Sequence, residues 1–136
     1  MPVESDAELR EILGMTRVAV VGYSSTPGKD AHEIPKYLLD NGYDVIPVNP
    51  TADEIFGQTA YDSLSEVEES VEIVDVFRPS DEVADIADEA LAREDVAVVW
   101  TQLGIADDEA AARAEEAGMR VVQDKCIKVE HQRLVS

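Results

Sequence analysis

Val18-Ala19-Val20-Val21-Gly22-Tyr23-Ser24-Ser25-Thr26-Pro27-Gly28-Lys29-Asp30 runs directly into an amphipathic helical pattern. An apolar strand, a loop of small residues and a helix start together make an anion site. Backbone N–H groups and the positive end of the helix dipole converge there. Gly22 lets the backbone approach a ligand closely, Ser24 brings a hydroxyl, and Lys29 offers a point charge to a phosphate. This spacing predicts a nucleotide or a nucleotide-like cofactor as ligand.

A second group with chemical potential lies near the other end, at Lys125-Cys126-Ile127-Lys128. A cysteine between two lysines has the setting of a reactive thiol, and also that of a small buried residue. His32 falls in the first turn after the glycine loop, where it can meet a phosphate or pack half-buried. Glu130-His131 could act as an acid–base pair with Cys126, but the intervening chain fixes no such geometry. The two histidines and the single cysteine are scattered, so no metal-ligand spacing exists.

Thirty acids against eleven bases give a formal charge of −19. The acids are spread through every expected helix instead of forming one block, which argues against an acidic tail. The pattern reads as a whole-surface adaptation to a salty cytoplasm, a halophilic, acidic-proteome signature. It disfavours nucleic acid and anionic membrane as partners. Against it the lysines stand out: Lys29, Lys36, Lys125 and Lys128 all fall in the first loop–helix unit or the C-terminal segment. One cysteine rules out an internal disulfide and suits a cytoplasmic setting. The acidic N-terminus has no apolar core of a signal peptide, and no apolar run approaches the ~20 residues of a membrane span.

These residues need a scaffold, and the rest of the chain predicts one. Its 136 residues, 45% of them hydrophobic, suit a single domain over 1–136. Ser5-Asp6-Ala7-Glu8 is a capping box opening a short helix within residues 1–14. Apolar, β-branched runs at 17–21, 43–48, 71–77, 96–100 and 119–123 read as buried strands. Helices are expected at 30–41, at 81–93 with Ser80 or Asp81 as cap, and at 107–117. A short helical turn is expected at 63–66, Ile55-Phe56-Gly57 as a brief extended piece, and 124–136 as a C-terminal tail. The order predicts an α/β fold: a Rossmann-like, doubly wound parallel sheet of about five strands with right-handed crossovers. Ligands in such sheets bind at the carboxyl ends of the strands, so the candidate loops are 22–30, 49–51, 77–80, 101–104 and 124–128.

The dinucleotide fingerprint is incomplete here. Only Gly22 of its three glycines is present, and Asn49 closes the second strand where nicotinamide enzymes place an acid, although Asp53 is close by. No P-loop is present either. Val18–Lys29, Val45-Ile46-Pro47-Val48-Asn49-Pro50, Val74-Asp75-Val76-Phe77-Arg78, Val98-Val99-Trp100-Thr101-Gln102-Leu103-Gly104 and Asp124-Lys125-Cys126-Ile127-Lys128 resemble, in order, the small stand-alone CoA-binding proteins. These are similar to the CoA-binding domain of succinyl-CoA synthetase alpha subunits. The resemblance covers about residues 15–135 and implies coenzyme A as the ligand.

Carried over residue by residue, it implies that Gly22, Ser24 and Lys29 face the CoA phosphates and that Asn49 and Pro50 lie beside the nucleotide. Phe77 and Arg78 would line the cleft, the Gln102–Gly104 loop would border the pantetheine arm, and Cys126 and Lys128 would stand at the same edge. Phe77, Trp100 and Leu103 could wall the arm, with core packing the alternative for the two aromatics. The thiol of CoA could form a mixed disulfide with Cys126. The synthetases rely on a phosphorylated histidine in a further domain, and no counterpart of it is expected among these 136 residues.

The resulting expectation is a cytoplasmic CoA- or acyl-CoA-binding protein, non-enzymatic in isolation: a carrier, a sensor or a subunit of an acyl-CoA system. An exposed helix face would suit a homodimer. The alternatives are an NAD(P)- or nucleotide-binding regulatory domain, and a stand-alone acyl-CoA enzyme using Cys126 or His32.

Overall fold

The structure, a computed structural model, describes residues 2–51, 54–55 and 57–135. Asp53, the alternative ribose acid, and Phe56 lie outside the described residues. The elements in chain order are α1 (Asp6–Leu13), β1 (Arg17–Val21), α2 (Asp30–Asp40), β2 (Asp44–Val48), β3 (Glu54–Ile55) and β4 (Gln58–Thr59). They continue with β5 (Ile73–Val76), α3 (Val83–Leu91), β6 (Val98–Thr101), α4 (Asp108–Glu116), β7 (Arg120–Val122) and α5 (Ile127–Leu134).

Five strands form one parallel sheet in the order β2-β1-β5-β6-β7, and β3 with β4 makes a small antiparallel pair beside it. The chain leaves β1 toward β2 on one side and resumes at β5 on the other. Consecutive crossovers therefore run in opposite directions, and right-handedness puts their helices on opposite faces. One face is packed by α1, α2 and α5 over Val18, Val20, Ile73, Val98, Trp100 and Val122. The other carries α3 and α4 over Ala19, Val21, Val74, Val76, Val99 and Val121. Both faces are covered, which explains why the strands read as continuous apolar runs and not as alternating ones. The expected single-domain, five-stranded Rossmann-like architecture is the observed one.

Two local expectations are corrected. Neither Ser80 nor Asp81 caps α3; both lie in a 3₁₀ turn, Ser80–Glu82, that precedes it. The Ser80 hydroxyl instead accepts from the Ala106 N–H at 3.0 Å, joining the loops after β5 and β6. Residues 124–136 are not an extended tail, because Ile127–Leu134 form α5, docked against α1 and α2. By contrast, Ser5 caps α1 as expected, its Oγ accepting from the Glu8 N–H at 3.2 Å.

Candidate functional site

The strand order reverses between β1 and β5, and a cleft of about 540 Å³ opens there at the carboxyl ends of the strands. Val21, Gly22, Ser24, Lys29 and Ala31 line it from β1, the first loop and the start of α2. Val48, Asn49, Pro50 and Thr51 close it from the end of β2. Phe77, Arg78, Glu82, Asp85, Ile86 and Glu89 form the wall on the β5–α3 side, and Asp62, Ser63 and Leu64 complete the rim.

The first loop is held by α2. Pro35 lies inside α2 and has no N–H, so the Ala31 carbonyl four residues earlier is left without its helical donor. The Ser24 N–H fills that position at 2.9 Å. The Ser24 carbonyl accepts from Nδ1 of buried His32 at 2.7 Å, so Nδ1 carries a proton. His32 therefore shapes the loop, and of its two expected roles it takes the packing one. Ser24 Oγ accepts from the Thr26 N–H at 3.1 Å and keeps its own proton available to a ligand. Among the described residues, the Asp30 and Ala31 amides in the first turn of α2 find no hydrogen-bond acceptor. These amides and the Lys29 ammonium are the donors this end of the cleft offers an anion.

Asn49 is a brace. Its Nδ2 donates to the Tyr23 carbonyl at 2.7 Å, and its Oδ1 accepts from both the N–H and the hydroxyl of Thr51 at 2.8 Å. It ties the end of β2 to the first loop and shapes the cleft without leaving a polar atom idle. Opposite, Gly22 has φ of +94°, and a Cβ there would stand 2.9 Å from Cδ of Arg78. Glycine is required twice over, by the backbone and by the Arg78 stem lying across it. The guanidinium reaches Glu82 in a two-pronged ion pair, Nε to Oε1 at 3.1 Å and Nη2 to Oε2 at 2.8 Å.

Of the residues read from the sequence, Gly22, Ser24, Lys29, Asn49, Pro50, Phe77 and Arg78 come together around this cleft. Gln102, Gly104, Cys126 and Lys128 do not line it. Gln102 is buried: its Nε2 donates to Oδ1 of Asp75 and its Oε1 accepts from the Ile127 N–H at 3.2 Å. The Gly104 N–H donates to Oδ1 of Asp124 at 2.7 Å, binding the loops after β6 and β7 to each other. Cys126 is half-buried at the start of α5, and the Lys128 ammonium lies 5.4 Å above the Tyr37 ring. No hydrogen bond joins Cys126 to His131 among the described residues. Nδ1 of His131 is engaged by the Tyr37 hydroxyl at 2.6 Å instead. Trp100 is fully buried, with Nε1 donating to the Lys125 carbonyl at 2.8 Å, and so belongs to the core. Leu103 is 65% exposed and does not line the cleft.

Three structural residues escaped the sequence reading. Pro35 could have been found by counting four residues back from a helical proline. Glu82 could have been found as an i,i+4 partner of Arg78. Asp75 gives no local signal, since its burial depends on both faces of the sheet being covered.

The sequence pattern of the CoA binding domain family matches residues 16–132. YneT of Bacillus subtilis, an uncharacterized protein, is 44% identical over 128 residues, 93% of this chain and 94% of its own. A hypothetical protein from Pyrococcus horikoshii has the same fold, with a TM-score of 0.93 at 36% identity over 100% of this chain and 97% of that one. The ADP-forming acetate–CoA ligase of Methanocaldococcus jannaschii is 36% identical over 84 residues, which is 62% of this chain and 12% of the ligase. The chain belongs to the CoA binding domain family.

Proposed function

We propose that the chain binds coenzyme A or an acyl-CoA in the cleft between β1 and β5 and acts as a carrier, a sensor or a subunit of an acyl-CoA system. The observation that carries this reading is the meeting of Lys29, the open first-turn amides of α2 and Arg78 at the switch point of a family member. Three phosphate groups on CoA need such donors, and the apolar surface of Val48, Pro50, Leu64, Phe77 and Ile86 suits the less polar parts of the ligand. The volume falls within the ~300–1,000 Å³ of ordinary ligand sites. The match to a CoA ligase, over 84 residues that make up 12% of that ligase, supports the choice of ligand.

A non-catalytic role fits the side chains present. His32 holds a backbone carbonyl, His131 holds a tyrosine, and Cys126 stands outside the cleft lining. Asn49, with Nδ2 and Oδ1 each bonded within the protein, stands where a ribose-binding acid would favour NAD. The −19 surface supports a salty cytoplasm as the working environment and argues for a small anion, not a nucleic acid or a membrane, as partner.

Titration calorimetry with CoA and with NAD in molar KCl tests the reading. CoA should bind and NAD should not. Lys29→Ala should weaken CoA by about tenfold or more, the worth of one charge-assisted hydrogen bond. Binding of NAD alone, or CoA affinity indifferent to Lys29→Ala, would overturn it.

A further inference from the structure

Lys29 and Arg78 are the cations that line the cleft among the described residues, against the carboxylates of Asp62, Glu82, Asp85 and Glu89. Arg78 is already held. Its stem is seated over Gly22, and its guanidinium presents two parallel N–H groups to the Glu82 carboxylate, the fork-to-fork geometry with which arginine also takes a phosphate. Both side chains are about half exposed, 48% for Arg78 and 43% for Glu82, so the pair is reachable from the cleft and screened by solvent. Glu82 is the last residue of the 3₁₀ turn that runs directly into α3, and it lines the cleft from there.

We infer that Glu82 is an internal competitor for the anion site on Arg78: a carboxylate that a phosphate of the ligand must displace, setting both affinity and selectivity. This rests on the CoA reading above and adds to it a determinant that no ligand-contact list would contain. An exposed ion pair is weak enough to be exchanged. The terminal phosphate monoester of CoA carries about two charges, against one on a carboxylate, and offers three acceptor oxygens to the same fork. A ligand with only a carboxylate gains nothing over Glu82 and leaves the pair closed. Opening takes rotation of the two exposed side chains only, because the Arg78 stem stays seated on Gly22.

The test is CoA titration of the full chain and of Glu82→Gln, with Asp85→Asn as a control that removes one charge from the same wall without touching Arg78. Glu82→Gln should bind CoA about two- to fivefold more tightly, the range set by the worth of an exposed ion pair. Asp85→Asn should gain less, and the Glu82→Gln gain should vanish in an Arg78→Ala background. Unchanged or weaker binding by Glu82→Gln would overturn the inference, showing that Glu82 only positions Arg78. An equal gain from Asp85→Asn, or a gain that survives Arg78→Ala, would also overturn it as mere loss of acidic charge. In each of these cases the wild type still binds CoA and the functional reading stands. Failure of every variant to bind CoA would instead sink that reading, and this inference with it.

Discussion

Asp75 sits in the middle of β5, register-paired with Val20 and Trp100 and shielded from water on both faces of the sheet. The Gln102 amide can be oriented from chemistry alone. Its oxygen must face the Ile127 N–H, so its NH₂ faces Asp75 and donates to Oδ1. The other oxygen, Oδ2, is buried and has no partner among the described residues. Burial pushes the carboxyl up to about 7, against the opposing pull of the Gln102 hydrogen bond. Between the ordinary value of 3.8 and about 7 the folded state holds the proton more tightly than the unfolded chain does. The stability this lends is complete below that window and is lost as the pH rises through it. Asp75→Asn keeps the shape without the titration. Its melting temperature should lose the decline that Asp75 imposes on the wild type between about pH 4 and pH 7, read by thermal denaturation at fixed salt. Parallel curves for the two proteins would contradict the assignment. The cleft-lining residues Gly22, Ser24 and Lys29 were legible because local spacing alone places them together. Asp75 was not, because nothing in Val74-Asp75-Val76 says that both sheet faces will be covered.

Among the elements, the strands were legible from their apolar, β-branched runs, and the crossover helices from their stripes. The exception was α5, and its composition explains why. Only Ile127 and His131 of this helix are buried, one turn apart, so half of its apolar stripe is a histidine. The helix is held largely by polar contacts. Gln102 takes the Ile127 N–H, and Arg133 pairs with Asp6 of α1 at 2.9 Å. His131 packs edge-on against the rings of Tyr37 and Tyr43. Burial lowers the His131 pKa below its ordinary 6.5, which favours the neutral ring in the folded form, with Nδ1 hydrogen-bonded to the Tyr37 hydroxyl. Here the unfolded chain binds the proton more readily. Stability is therefore present above about pH 6.5 and is lost as the pH falls through the lowered folded value, opposite in sign to Asp75. Hydrogen exchange of the α5 amides, corrected for intrinsic rates, should quicken relative to the sheet as the pH drops from 7 toward 5.5. His131→Gln should remove that dependence, since its amide can accept from Tyr37 at any of these pH values. α5 protection that ignores pH in the wild type would refute the latch.

At the scale of the whole molecule, the charge acts on stability and on ligand in the same direction. The surface repels itself, and on the proposed reading a ligand carrying three phosphate groups would approach a body of like sign, through a cleft where four carboxylates face two cations. Contacts made by such a ligand at Lys29 and at the first turn of α2 would act over a few ångströms. The repulsion from the rest of the surface acts over tens. Added salt shortens the screening length from ~10 Å at 0.1 M to ~3 Å at 1 M, which removes the second effect far more than the first. A phosphate-binding protein with a basic surface loses affinity as salt rises, because its long-range term is attractive. This one should gain affinity. CoA titrated at KCl concentrations from about 0.1 M to 1 M should bind several-fold more tightly at the upper end, with the chain shown folded by circular dichroism at each point. Glu82→Gln should flatten the slope only slightly, since it changes one charge of many. A steady fall in affinity with KCl would mean that the two cations and the helix start outweigh the whole acidic surface. The lysines kept beside the first loop would then be the dominant electrostatic feature of the protein, and not a local exception to it.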